Sequence, residues 1–321
     1  MLKTKITEML GIEYPIIGGT MMSITNADFV AAISNAGGLG ILASAIYKSK
    51  EAFTNAVDRV MELTSKPFAV NINLFPGMGL IDNNVYLDVM LEKGIKIVET
   101  SGHFAPEDLC SRFKKGRMRW MHKCVSARYA LKAQSLGADA VTVVGYENGG
   151  ATGKLDIGTM VLVPTVVDAV TIPVIGGGGI SDGRGLAAVL SLGAEGIIMG
   201  SRLLLTKECP IHSNVKQALL NATELDTRLI MRSIGAPHRV WNNVAAEKCA
   251  KIEAAGGDFD AVINVISGEK SREMYEKGDL KAGIISCGQG IGLINEIPTV
   301  KELFDRLIDQ ANNTIQRFSG N

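Results

Sequence analysis

Short apolar runs rich in valine and isoleucine recur along the first two thirds of the chain. Longer stretches with helical spacing of apolar positions separate them. Eight runs predict strands, at 14–20, 39–45, 68–74, 95–101, 118–125, 140–147, 173–179 and 196–201. Each is apolar on both sides rather than alternating, the pattern of a parallel sheet covered by helices. The segments between them carry helix signals. Asn26 and Ser49 stand at N-cap positions, and Asp182 precedes the helical stretch GRGLAAVLSLGA. Gly37, Gly94, Gly137 and Gly193 stand just ahead of the next strand, where helices commonly end. Eight strand–helix repeats of roughly 20–30 residues predict an α/β fold of the (β/α)8 TIM barrel type. An open sheet of five or six strands fits the count less well.

After Ser201 the pattern changes. Residues 206–282 read as helical, more polar and without a further strand, which predicts a small helical lid inserted after strand eight. Turn chemistry around Gly278 and Gly283 leads into the glycine-rich ISCGQGIGLI, and an amphipathic helix over 300–318 returns to the barrel. The expected division is barrel at 1–205, lid at 206–282, and return segment with C-terminal helix at 283–321.

Composition narrows the partners. The 321 residues are 46% apolar and 21% charged, enough hydrophobe for one large core. Lys plus Arg equals Asp plus Glu at 33 each, so the chain lacks the electrostatic footprint of a nucleic-acid or anionic-membrane binder. Small-molecule substrates and protein partners, including a homodimer, are the expectation. Nothing approaches the ~18–20 continuous apolar residues of a membrane helix. The start, MLKTKITEML, lacks the apolar core of a secretion signal. Cys110, Cys124, Cys209, Cys249 and Cys287 show no CxxC and no metal-ligand spacing. Their odd number predicts reduced thiols in a cytoplasmic protein, and their spacing predicts no metal site.

The candidate chemistry gathers at predicted strand ends. PVIGGGGISDGRGLAAVLSLGAEGIIMGSRL holds two glycine turns, each directly after one of the last two strands, where barrels commonly hold phosphate. A phosphate binds to backbone N–H groups, and a Cβ would keep the chain from approaching it. Gly178 and Gly179 offer that approach on the first turn. Gly200 and Ser201 offer it on the second, with the serine hydroxyl as an added donor. The helix starting near Gly183 is expected to add its positive end. In IIGGTMMS, Gly19, Thr20 and Met21 let backbone and an apolar side chain lie against a flat ring. In VNIN, the Asn71 amide can donate to and accept from a pyrimidine edge. GYENGGATGKLD forms a glycine-rich loop around Glu147 after strand six.

These segments, with their neighbours, run in order over nearly the whole chain: LGIEYPIIGGTM, NAGGLGIL, KPFAVNINL, VETSGH, MHKCVSARYALKAQSLGADAV, GYENGG, PVIGGGGISDGRGLAAVLSLGAEGIIMGSR and SCGQGIGLI. The set resembles the nitronate monooxygenase (2-nitropropane dioxygenase-like) family of flavin proteins and the related flavin-dependent enoyl-ACP reductases. The resemblance implies an FMN-dependent oxidoreductase. At matching positions, Gly19, Met21 and Asn71 would line the isoalloxazine, and Gly149 and Gly150 would border it. Gly178, Gly179, Gly200 and Ser201 would bind phosphate, and Gln289 would close over the cofactor. Of His122 and Lys123, adjacent in strand five, alternation turns one inward; both are read as supporting packing or the flavin's polar edge. The protein orients and shields the flavin, which carries the redox chemistry.

One position departs from the family. Members usually carry a histidine directly after the paired glycine of the strand-six loop, where it serves as base or sits beside the substrate. Here the loop reads Gly149-Gly150-Ala151, and alanine can neither accept nor donate a proton. His103, after strand four, and Tyr146, beside the altered loop, are the candidate catalytic replacements. His212 reads as a surface residue of the lid, while His238 in GAPHRV is a weaker candidate to face substrate. Most of the 13 methionines read as core filler. Cys287 reads as structural, having no base at readable spacing.

Three functions follow from the resemblance. One is oxidation of a small or acyl substrate with an activated α-carbon, and the second is reduction of an enoyl thioester by NADH or NADPH. The third is a non-catalytic flavin-binding barrel. An inosine monophosphate dehydrogenase-like reading fails on the absence of a cysteine in the strand-six loop.

Overall fold

A computed structural model describes residues 2–75, 81–102 and 104–317. All eight predicted strands form: β1 (Ile16–Gly18), β2 (Gly40–Ala43), β3 (Phe68–Asn73), β4 (Ile97–Ser101), β5 (Arg119–Cys124), β6 (Ala140–Val144), β8 (Val174–Gly177) and β9 (Gly196–Met199). Most are shorter than the apolar runs that announced them, because apolarity follows burial and continues into the loops where pairing stops. A two-residue strand, β7 (Gly150–Ala151), lies between β6 and β8 in the chain and outside this sheet.

The eight strands are parallel, in the order β1-β9-β8-β6-β5-β4-β3-β2. The two ends of that order meet through a parallel bridge between Ile17 and Leu39, where the Gly18 N–H donates to the Leu39 carbonyl at 2.9 Å. The fold is a (β/α)8 TIM barrel. Ile17, Ile41, Ala69, Ile97, Met121, Ala140, Ile175 and Ile198 form its inner packed layer, and Ile6 and Leu10 of the N-terminal helix join the same cluster. A second, larger cluster lies between strands and helices, with Phe29, Phe53, Tyr86, Phe113 and Trp120 fully or almost fully buried.

The helix signals act as read. Asn26 accepts from the Phe29 N–H at 3.0 Å and Ser49 from the Ala52 N–H at 3.1 Å, each worth about 1 kcal/mol over alanine. Gly37, Gly94, Gly137 and Gly193 all adopt positive φ after their helices. The last helix, Val300–Gln316, opens on a capping box between Thr299 and Glu302 and buries Leu303, Phe304, Leu307 and Ile308.

The lid is not all helical, and this corrects the sequence reading. β10 (Thr227–Ile230) and β11 (His238–Trp241) form an antiparallel pair, and β11 also pairs with β7. Arg228, Arg232 and Arg239 interrupt the apolar pattern there, so the stretch reads as polar. Arg239 is nonetheless buried, with its guanidinium 4.5 Å above the Tyr146 ring. Helices Val244–Ala254, Phe259–Ile266 and Gly268–Lys277 follow, and Ile230, Val240, Cys249, Val262 and Ile266 form a separate small core. Among the described residues no helix is long and apolar enough to cross a membrane.

Candidate active site

Strand register decides which polar side chains converge. Asn71 pairs with Glu99 and Glu99 with Met121, while Ser101 pairs with Lys123 and Lys123 with Thr142. Registered residues share a face, so these side chains turn inward with Met121, toward the C-terminal ends of the strands. The Asn71 Nδ2 donates to Glu99 Oε2 at 2.7 Å and to Ser101 Oγ at 3.1 Å. Thr20 Oγ1 donates to the same carboxylate oxygen at 3.0 Å. Lys123 Nζ lies 3.6 Å from Glu99 Oε1.

Glu99 is wholly buried, yet its Oε1 has no hydrogen-bond partner among the described residues, and the same holds for Thr142 Oγ1. Buried oxygens without a hydrogen bond are costly, and two of them beside an ammonium and an amide suit a bound group with a polar edge. Of these residues the sequence reading had singled out Thr20, Asn71 and Lys123. It missed Glu99, whose signal was a lone carboxylate inside an apolar strand.

His122 takes the opposite face from Lys123. Its Nδ1 shares a 2.7 Å hydrogen bond with Thr100 Oγ1, which also accepts from Trp120 Nε1 at 2.8 Å. Burial pushes the imidazole pKa down to about 4, against the pull of the Glu99 charge. It packs in the layer between strands and helices. His103 lies outside the described residues. His212 is a helix cap rather than an idle surface residue, its Nδ1 accepting from the Asn214 N–H at 3.1 Å.

Across the barrel mouth lie the glycine turns. Gly178 and Gly179 have φ of +105° and +72°, and a Cβ on Gly178 would stand 2.7 Å from Thr159 Oγ1. Gly200 opens the short helix Ser201–Leu204, and a Cβ there would meet only Met21 Sδ, at 3.9 Å. This juxtaposition brings the first loop and the last together. Gly19 bonds back to the same strand, its N–H donating to the Met199 carbonyl at 2.7 Å. Ser201 Oγ accepts from the Gly288 N–H at 2.8 Å. The expected contribution from the helix at Gly183 is absent. Its first amides are taken by Gln310 Oε1 at 2.8 Å and by Asp182 Oδ1 at 2.9 and 3.3 Å, and the carboxylate offsets the helix dipole.

The return segment lies across these loops. The Gln289 N–H donates to the Glu147 carbonyl at 2.9 Å, and Ser181 Oγ donates to the Gly290 carbonyl at 2.7 Å. Backbone meets backbone so closely that a Cβ on Gly288 would stand 2.6 Å from the Glu147 oxygen, and one on Gly149 2.7 Å from the Gly288 nitrogen. Only glycine fits at these two positions. Glu147 itself is occupied, accepting from the Thr159 N–H at 3.0 Å and hydroxyl at 2.8 Å. Tyr146 carries the Arg239 stack, and Arg239 Nε donates to its carbonyl at 3.2 Å. Cys287 is fully buried and its thiol is pushed up to about 12, which leaves it protonated and inert.

Ala151 is exposed at the mouth end of β7, opposite His238 of β11. His238 Nε2 shares a 2.8 Å hydrogen bond with Ser286 Oγ. Neither Ser286 nor Arg239 was singled out in the sequence, since both depend on pairings between distant segments.

Residues 3–310 match the family described as nitronate monooxygenase. The chain is 33% identical to (3aS,4S,5R,7aS)-5-hydroxy-7a-methyl-1-oxo-octahydro-1H-indene-4-carboxyl-CoA dehydrogenase of Rhodococcus jostii, covering 97% of this chain and 96% of that protein. It is 28% identical to a probable nitronate monooxygenase of Staphylococcus saprophyticus, covering 98% of this chain and 99% of that one. The structure of FabK from Thermotoga maritima superposes with a TM-score of 0.91 at 31% identity, covering 100% of this chain and 99% of that chain. The mouth described above, polar on one wall and glycine-lined on the other, therefore sits in a member of the nitronate monooxygenase family, a flavin-dependent oxidoreductase.

Proposed function

We propose that the flavin is FMN, and that the enzyme acts at the α-carbon of an acyl thioester, with NADH or NADPH as the partner that exchanges reducing equivalents. The observation that carries the FMN reading is the pairing of two walls. One holds Glu99 Oε1 and Thr142 Oγ1, neither hydrogen-bonded among the described residues, beside Asn71 and Lys123. The other holds the open glycine turn at Gly200, next to Gly178 and Gly179. In this reading Gly178, Gly179, Gly200 and Ser201 hold the phosphate, and Gly19, Thr20 and Met21 lie against the ring. Asn71 and Lys123 meet its polar edge, Gly149 and Gly150 border it, and Gln289 closes over it.

When bound, the flavin supplies two-electron transfer. The chain supplies the rest. Lys123 places a positive charge at the inner end of the site, and Met21 shields it from water. Tyr146 and His103 are the candidates on the barrel side for exchanging a proton with the substrate. Residues 1–205 form the cofactor barrel, 206–282 the lid over the substrate, and 283–321 the return segment that locks the loops.

The thioester reading is supported by the carboxyl-CoA dehydrogenase activity named for the Rhodococcus relative and by Ala151, which leaves no imidazole at the position after Gly150. Oxidation of a nitronate is the second reading, favoured by the same alanine if the substrate arrives as the anion and needs no base. Five unpaired thiols support a cytoplasmic setting. The deciding experiment starts with the absorbance spectrum of the purified protein and mass identification of the released flavin. Anaerobic turnover of an enoyl thioester with NADH and with NADPH is then compared with oxygen uptake on a nitronate. A colourless protein that takes up no FMN removes the cofactor assignment. Size-exclusion chromatography with light scattering tests the homodimer.

A further inference from the structure

We infer that His238, delivered by the lid hairpin rather than by the barrel, is the residue that carries the substrate proton. The inference rests on the thioester reading above. In the antiparallel pair of β11 with β7, His238 stands directly opposite Ala151. Opposed residues project on the same face with Cβ atoms roughly 4.5–5.5 Å apart. The imidazole therefore shares the space into which residue 151 points, at the end of the loop that follows β6. Its Cε1 lies 3.9 Å from where a Cβ on Gly150 would be, so the ring covers a glycine that leaves it room.

The ring is held for proton transfer. Nε2 bonds to Ser286 Oγ at 2.8 Å, in the return segment that also carries Gly288 and Gln289. That bond fixes the ring's orientation. Among the described residues Nδ1 has no protein partner. Burial pushes the pKa down to about 4, so the ring rests neutral, and the imidazolium it forms is a strong acid that readily gives the proton back.

The step is a proton transfer alone. The α C–H bond of the thioester breaks, the proton joins the imidazole nitrogen, and the electron pair stays on carbon, delocalised into the thioester carbonyl as an enolate. In the reductive direction the imidazolium returns the proton to the α-carbon.

The test follows deuterium exchange from D₂O into the α-position of a saturated acyl thioester, read by NMR on the holoenzyme. It requires no net turnover. His238→Gln, which can keep a hydrogen bond to Ser286, is expected to slow exchange at least ~100-fold, the usual scale of general acid–base catalysis, with flavin content and bleaching by NAD(P)H unchanged. Adding Ala151→His to that variant is expected to restore exchange, because the two side chains share one face. A purely structural role for His238 would lower flavin retention and show no such rescue. Equal exchange in wild type and His238→Gln overturns the inference while leaving the thioester reading intact. Turnover of the thioester by wild type without α-exchange also overturns it. Wild type that neither exchanges nor turns over the thioester removes the thioester reading and the inference together.

Discussion

Asn71 and Glu99 face each other across β3 and β4, and the 2.7 Å bond between amide and carboxylate leaves Glu99 Oε1 turned toward Lys123. A buried carboxylate is thus placed at the inner end of the proposed flavin site, with the Lys123 ammonium 3.6 Å away. Its presence disfavours added electron density on a neighbouring ring. Glu99→Gln keeps the shape and removes the charge. We expect the flavin midpoint potential to rise by about 30 mV, which is about 1.4 kcal/mol for a two-electron couple, in a spectroelectrochemical titration. Lys123→Met is expected to lower the melting temperature by leaving Glu99 unpaired, and the double variant to recover most of that loss. An unchanged potential in Glu99→Gln would place the carboxylate outside the flavin's field.

The backbone contact between Gly149 and Gly288 predicts a different kind of loss. Gly288→Ala puts a Cβ 2.6 Å from the Glu147 oxygen, so the return segment must lift off the loop after β6. The expected result is a stability loss of about 1–3 kcal/mol together with weakened flavin retention. Gly94→Ala is the control. That glycine has φ of +72° but nothing within 4 Å of its Cβ, so it should cost about 1 kcal/mol and leave flavin binding untouched. Equal flavin loss in both variants would show that backbone strain, not the contact, governs retention.

Acid should destabilise the flavin-free protein through His122. Its folded pKa is about 4 against an ordinary value of 6.5, so the unfolded chain binds the proton first as pH falls. The contribution is fully present above pH 6.5 and is lost as pH drops to about 4, by up to about 3 kcal/mol. His238 shifts in the same direction, from burial. Urea melts at several pH values should show a shallower slope between pH 6.5 and 4 for His122→Asn than for wild type. Parallel slopes would mean that His122 charges without penalty.

Tyr146 has two separable parts. Its ring lies under the Arg239 guanidinium at 4.5 Å, and its hydroxyl is the group read as a proton donor. Tyr146→Phe keeps the stack and should leave the melting temperature within a degree or two, while lowering turnover if the phenol donates. Tyr146→Ala should also cost about 1–2 kcal/mol from the lost contact with a buried cation. Full activity in Tyr146→Phe would assign the residue to the stack alone.

The barrel was legible because its strands are largely apolar on both faces and four of the helices between them end at a glycine, features that are local and recur along the chain. The inner polar layer was half legible. Asn71 and Lys123 stood out by residue type, but their meeting with Glu99 depends on register between β3, β4 and β5. The lid hairpin was hidden by its arginines. Arg239 reads as a surface residue until Tyr146, far away in the chain, covers it. The cap at Asp182 was read correctly and its consequence was not: the carboxylate that starts the helix also consumes its donors, and Gln310, 127 residues from Gly183, takes the last.

β7 belongs by chain position to the barrel loop after β6 and by pairing to the lid. The glycine turns at Gly178 and Gly200 pair with no strand of the hairpin and meet it through the return segment, where Ser286 bridges to Val240 and the Gly288 N–H donates to Ser201 Oγ. In the function proposed above, the turns that would hold the cofactor and the hairpin that would face the substrate are therefore separate lengths of polypeptide. Changes in the hairpin around residues 227–241 reach Gly150 and Ala151 directly, so altering the lid would reshape the proposed substrate side while the turns after β8 and β9 keep their own strands.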